Sequence, residues 1–313
     1  MAELPAGVVA FDRAEALEQV WKNMVGAIYG GPKAGKTHFM VRSQGPRYIV
    51  YADPNGLATL KFQILKAAQE EKDGKQLWPD GDVFYQYLAP IEYDLLTDDE
   101  AERRVRQVLD FARWAKQHAR EEVRAGRPGG TFLFDGMVMF KGYVEKWKLG
   151  ESATLGFRPK RGQKTNISTY DYAVPNTFLK EFVAGFGNQD LNAVFCWEGR
   201  PDYLEVKDLD TGRNKSVRQD TFHTSMPDSS GFAVNFVVEP VRVKKDVVVD
   251  NRVVGKRIIN MLRIGYNAFD SSLENLVVPV NGFDELRELF LGGLGEMDAK
   301  PAEAYERVGG EEL

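Results

Sequence analysis

Gly30-Gly31-Pro32-Lys33-Ala34-Gly35-Lys36-Thr37 spells G-x-x-x-x-G-K-[ST] without a gap, and its reading decides the fold. An apolar run, Met24-Val25-Gly26-Ala27-Ile28-Tyr29, precedes it and predicts a buried strand, while helix-compatible residues follow from Thr37. Strand, glycine loop and helix in that order are the context the motif requires. Its glycines let backbone N–H groups converge on a phosphate, and the following helix adds its positive end. Lys36 would neutralise the terminal phosphates, and Thr37 would place a hydroxyl on Mg²⁺. Gly30 to His38 is therefore the expected nucleotide-binding segment, with Pro32, Lys33 and Ala34 at its crown. A nucleoside triphosphate with Mg²⁺ is the expected ligand.

Moving outward, Arg47 to Asp53 predicts a second strand that stops at Pro54-Asn55-Gly56, and Leu57 to Lys72 an amphipathic helix. Val83 to Leu88 reads as a third strand. A long helix from Asp98 to Ala125 follows and breaks at Gly126-Arg127-Pro128-Gly129-Gly130. Thr131-Phe132-Leu133-Phe134-Asp135 is a Walker B pattern, bulky residues ending in a carboxylate that would hold the Mg²⁺ shell. Val174 to Phe186 reads as helix and Asn192 to Glu198 as a fifth core strand. Strands separated by helical patterns predict right-handed βαβ units and a mostly parallel sheet flanked by helices.

The last third is β-rich. Tyr203–Val206, Phe232–Lys244, Val247–Val249 and Lys256–Ile264 predict hairpins that extend the sheet in antiparallel fashion. Phe283 to Phe290 predicts a short terminal helix. Residues 12 to 23 read as helix. The expected organisation is one α/β domain over 1–295, with its β-rich extension near 199–280, and an acidic mobile tail over 296–313.

Composition bounds the function. The chain has 313 residues, 43% of them hydrophobic and 28% charged, an ordinary globular balance. No apolar stretch approaches the roughly 18 to 20 residues that span a bilayer, and Met1 to Phe11 lacks the basic start and apolar core of a signal peptide. One cysteine, Cys196, excludes an internal disulfide and a Cys-based zinc site. A cytoplasmic protein without membrane contact is expected. The net charge of −5 means that any nucleic-acid contact must come from a local basic patch.

The order of these features resembles the RecA-like P-loop ATPases. More narrowly, it resembles phage-encoded nucleotide-binding proteins linked to single-strand-annealing recombination. The residues that carry the likeness are Ile28 to Thr37, Tyr48 to Asp53, Phe132 to Asp135 and Val194 to Glu198, followed by the β-rich end. The likeness spans about residues 20 to 290. It implies ATP hydrolysis and action on single-stranded DNA beside a recombinase or single-strand-binding partner, in the host cytoplasm if phage-encoded. It also leaves a homo-oligomer open. Cys196-Trp197-Glu198 stand where that family often places a histidine sensor.

Hydrolysis needs a group to orient the attacking water. Gly136 follows Asp135, so the base is sought at neighbouring strand ends: Asp53, whose Asp53-Pro54-Asn55-Gly56 setting is also a good turn, or Glu198. Ligands of α/β sheets bind beyond the carboxyl ends of the strands. Two segments expected to leave that edge as loops carry basic and aromatic residues suited to a single strand. One holds Arg158, Lys160, Arg161 and Lys164; the other, Gly199 to Gly231, holds Arg200. A solvated basic surface fits both nearly as well. A nucleotide kinase, with Arg158, Lys160 and Arg161 as a lid, and a non-catalytic module that uses ATP to hold an assembly are the competing readings.

Overall fold

The computed structural model of the chain describes residues 23–31, 34–43, 45–52, 57–72, 75–76, 82–91, 95–152, 173–187, 189–207, 214–224, 233–249, 252–280 and 282–295. The expected helix over 12–23, but for its last residue, the tail over 296–313 and the polar segment holding Arg158 to Lys164 fall outside them. The strands are β1 (Val25–Gly30), β2 (Arg47–Tyr51), β3 (Glu71–Lys72), β4 (Lys75–Gln76), β5 (Val83–Tyr87), β6 (Thr131–Asp135), β7 (Asn192–Lys207), β8 (Asn214–Thr224), β9 (Phe236–Val249), β10 (Arg252–Asn267) and β11 (Val277–Val278). The helices are α1 (Lys36–Met40), α2 (Leu57–Ala68), α3 (Asp98–Arg124), α4 (Met137–Ser152), α5 (Ala173–Ala184) and α6 (Phe283–Gly295).

Eight strands lie side by side in the order β11-β10-β9-β1-β7-β6-β2-β5, and β8 pairs with β7. From β9 to β5 every neighbour is parallel. β10 and β11 add on antiparallel at one side, and β3 and β4 form a separate two-stranded ribbon. The fold is thus mixed α/β, built on a mostly parallel sheet flanked by helices.

Strand residues alternate between the two faces, and here both faces are apolar. Val25, Ala27, Tyr48, Val50, Phe132, Phe134, Ala193, Phe195 and Trp197 join a core with buried residues of α3, α4 and α5. Met24, Ile28, Ile49, Tyr51, Leu133, Val194, Cys196, Phe236 and Val238 join a second core with α1, α2 and α6. Continuous rather than alternating hydrophobic strands are the mark of a parallel sheet covered twice.

The helix α3 shows how local sequence sets an element. Thr97 caps it by accepting a hydrogen bond from Glu100 N at 3.2 Å, and Asp98, Asp99 and Glu100 crowd the first turn, where the helix dipole favours negative charge. Its buried stripe, Ala101, Val105, Val108, Ala112, Ala115 and Ala119, advances by fours and threes. Four of the six are alanines, so the helix can lie close to the sheet. Tyr48 of β2 and His118 share a hydrogen bond at 2.8 Å.

Several expectations are corrected. The α2 helix ends at Ala68, not Lys72, because Gln69 N and Glu70 N turn back to Lys66 O and Ala67 O in a tightened last turn. Glu71 and Lys72 then enter β3. The helix after the glycine loop is only five residues long. β7 does not stop at Glu198 but runs on to Lys207, and β8 returns along it. Gly199 to Thr224 is therefore largely a β-ribbon rather than a loop. β9 is not part of an antiparallel extension at its root: Phe236 to Val238 pair parallel with Gly26 to Ile28. Among the described residues, no helix is long and apolar enough to cross a membrane.

Gly26 makes the β1–β9 pairing possible. A Cβ on Gly26 would lie 1.9 to 2.2 Å from the Phe236 ring. That ring is itself packed against Phe283 and Phe290, with centroids 6.0 and 5.4 Å away. Gly26→Ala should lower unfolding stability by about 1–3 kcal/mol, the usual range for overpacking, and Phe236→Leu in the same chain should recover part of the loss. Urea unfolding midpoints test this; an unchanged midpoint in Gly26→Ala would contradict the packing described.

Candidate nucleotide site

The carboxyl ends of β1 and β6 lie at one level of the sheet, on either side of the middle of β7. Gly30 closes β1 and is the register partner of Glu198 on β7. Asp135 closes β6 and is the partner of Cys196 on β7. β7 thus separates the strand that feeds the glycine loop from the strand that carries Asp135.

Gly30, Gly31, Ala34 and Gly35 are described in the loop, whereas Pro32 and Lys33 lie outside the described residues. Gly35 sits at φ 106°, ψ 15° immediately before α1. An L side chain rarely adopts that conformation, which accounts for glycine at this turn. Phe39 N bonds Gly35 O at 3.0 Å, starting the helix. Because α1 has five residues, little macrodipole stands behind the loop. An anion at this loop would meet the loop's own N–H groups and Lys36.

Lys36 Nζ donates to Gly30 O at 2.8 Å and to Gly31 O at 3.1 Å, so the ammonium lies over the loop. Thr37 Oγ1 donates to Asp135 Oδ2. Asp135 is only 6% exposed, and a buried carboxylate requires hydrogen bonds or counter-charge. Thr37 and Asp135, 98 residues apart in sequence, thus place two hard oxygens in contact. Mg²⁺ takes such donors, commonly one or two carboxylates with phosphate oxygens and water completing its octahedron. Among the described residues no three His, Cys, Asp or Glu side chains gather into a metal-holding group. Thr37 and Asp135 as donors fit a cation shared with a phosphate ligand.

Of the two candidate bases, Glu198 is exposed at the edge beside Gly30. Asp53 lies outside the described residues, but the chain leading to it is fixed: Ala52 N bonds Asp135 O at 2.8 Å. His38 lies in the short helix, and its carbonyl accepts a hydrogen bond from Arg42 at 2.6 Å. Arg200 continues β7 as the register partner of His223, two residues beyond Glu198. Arg158, Lys160, Arg161 and Lys164 are not described.

Arg42 is a site-supporting residue that sequence reading missed. Fully buried, it pairs with Glu70 after α2 through Nε at 2.8 Å and through its second terminal nitrogen. Its backbone carbonyl accepts from Phe283 N at 2.9 Å, at the start of α6. One residue thereby ties the end of the loop helix to two other helices. The only sequence signal is its four-residue spacing from His38.

Beneath α1 lies Cys196, whose Sγ donates to Met40 Sδ. Burial pushes its thiol well above the ordinary range; the Asp135 carboxylate adds to the rise and Lys36 opposes it. A buried, protonated thiol is a poor nucleophile. Iodoacetamide at neutral pH should therefore leave Cys196 unmodified in the native chain and alkylate it fully in urea, as read by intact mass. Rapid labelling of the native protein would show that α1 does not cover β7 as described.

No family model matches this chain, and no curated protein matches it.

Proposed function

We propose that the chain binds ATP with Mg²⁺ and hydrolyses it as a RecA-like P-loop ATPase acting with single-stranded DNA. The observation that carries the reading is the joining of Thr37 to Asp135 at the edge where the glycine loop leaves β1. The motif and the strand-end aspartate are independent signals in the sequence, and their oxygens meet in the fold.

In this reading a triphosphate draws Lys36 from the carbonyls of Gly30 and Gly31 to its terminal phosphates, while the loop N–H groups hold the phosphates in place. Thr37 and Asp135 would hold Mg²⁺, which supplies charge neutralisation at the transferring phosphoryl group. Glu198, exposed beside the loop strand, or Asp53 orients the attacking water by accepting its hydrogen bond. The single-strand half of the reading rests on the resemblance and on the basic residues named from sequence, Arg200 and Arg158 to Lys164.

Lys36→Ala should remove most nucleotide affinity and leave the circular-dichroism spectrum unchanged, because one ammonium is removed from an otherwise intact loop. Asp135→Asn should lower turnover more than binding. Glu198→Gln should lower turnover alone if Glu198 orients water; normal turnover there passes that role to Asp53. Fluorescent-nucleotide titration and phosphate release, each with and without single-stranded DNA, read these effects. Wild-type affinity in Lys36→Ala would sink the reading. Phosphoryl transfer to an added nucleoside monophosphate would redirect it to a kinase.

A further inference from the structure

The two strands that flank β1 both continue past the level of Gly30. β7 extends from Gly199 to Lys207 and pairs with β8. β9, whose Val238 is level with Ile28, extends from Val241 to Val249 and pairs with Arg252 to Met261 of β10. Among the described residues, no other ladder joins Val241–Val249 or Arg252–Met261. Two β-ribbons therefore root on either side of the glycine loop's strand.

Their charges differ. Residues 241–261 carry six basic residues and two acidic ones, Asp246 and Asp250, a net +4 in a chain whose total is −5. The described strands of the β7–β8 ribbon beyond Glu198 carry Arg200, Lys207, Lys215 and Arg218 against Asp202, Glu205 and Asp220, close to balance. In the basic ribbon the cations divide evenly: Arg242, Lys244 and Lys245 on β9, and Arg252, Lys256 and Arg257 on β10. Lys245 and Arg257 are direct register partners. Like charges placed opposite each other disfavour a ladder; the neighbouring register pair, Lys256 with Asp246, is of opposite charge.

We infer that the β9–β10 ribbon docks in a groove of duplex nucleic acid. A two-stranded β-ribbon fits the major groove, and both strands of this one carry cations. Nine residues of β9 extend about 30 Å at strand rise, close to one duplex turn of about 34 Å. Residues 241–261 contain no Phe, Tyr or Trp. They lack the stacking groups of a single-strand platform and the aromatic anchors of a membrane-surface element. An electrostatic contact to the denser polyanion remains: duplex carries a charge about every 1.7 Å. This goes beyond the single-strand reading and does not depend on nucleotide binding.

The test uses the full chain and fluorescence anisotropy with a labelled 20-base-pair duplex, the matching single strand, and a range of salt. Lys244→Ser, Lys245→Ser, Lys256→Ser and Arg257→Ser combined should weaken duplex binding at low salt. They should also flatten its slope of log affinity against log salt by about 0.9 for each phosphate no longer neutralised. The pair Lys244→Ser and Lys256→Ser should give an intermediate slope, which guards against a misfolded quadruple variant; melting curves check each chain. An unchanged slope in a folded variant overturns the inference. So does wild-type protein that binds the single strand or anionic phosphatidylserine vesicles but not duplex. Ribbon-dependent duplex binding in a chain that fails to bind ATP would uphold this inference and remove the proposed function instead.

Discussion

A parallel sheet must be covered on both faces, because its crossovers bring helices to each side and its strands are apolar throughout. That constraint organises this chain. Phe132, Phe134, Phe195 and Trp197 are buried toward α3–α5, and Leu133, Val194 and Cys196 toward α1, α2 and α6. With both faces filled, polar chemistry is left to the strand ends. The carboxyl edge is where Gly30, Asp135 and Glu198 gather.

Burial and pairing meet in Asp135. Its carboxylate is nearly enclosed, so it takes the hydroxyl of Thr37 as partner, and that bond links α1 to a strand two places away from β1 in the sheet. Arg42 fixes the other end of the same short helix to Glu70 and His38. The five-residue α1 is thus held by side chains at both ends rather than by its own length, since helices this short are unstable alone. In the proposed function, ligand binding exchanges these internal contacts for contacts to phosphate and cation.

Much of this was legible in sequence because the signals were local. The glycine loop, the run Thr131 to Asp135 and the capped helix beginning at Asp98 each declare themselves within a few residues, and the bounds of the last two agree with the structure to within a residue or so. What escaped reading was non-local. Nothing in Phe236 to Val238 announces parallel pairing with β1; that depends on Gly26 leaving room for an aromatic ring. The Arg42–Glu70 pair joins residues 28 apart. The stretch after Glu198 reads as a loop with a short strand only at Tyr203–Val206, yet its pairing with β8 keeps it extended to Lys207. The candidate site divides in the same way: Lys36, Thr37 and Asp135 are proposed from local motifs, two of which meet in the fold, whereas a choice between Asp53 and Glu198 requires positions in space.

Calorimetric titration of ATP into the chain, with Mg²⁺ present and then with Mg²⁺ chelated, tests the central claim most directly. The account predicts saturable binding of one nucleotide per chain that weakens when Mg²⁺ is removed, and a Thr37→Val chain in which removal of Mg²⁺ makes little difference. Absence of saturable binding at millimolar ATP, or affinity indifferent to Mg²⁺ in the unaltered chain, would contradict it.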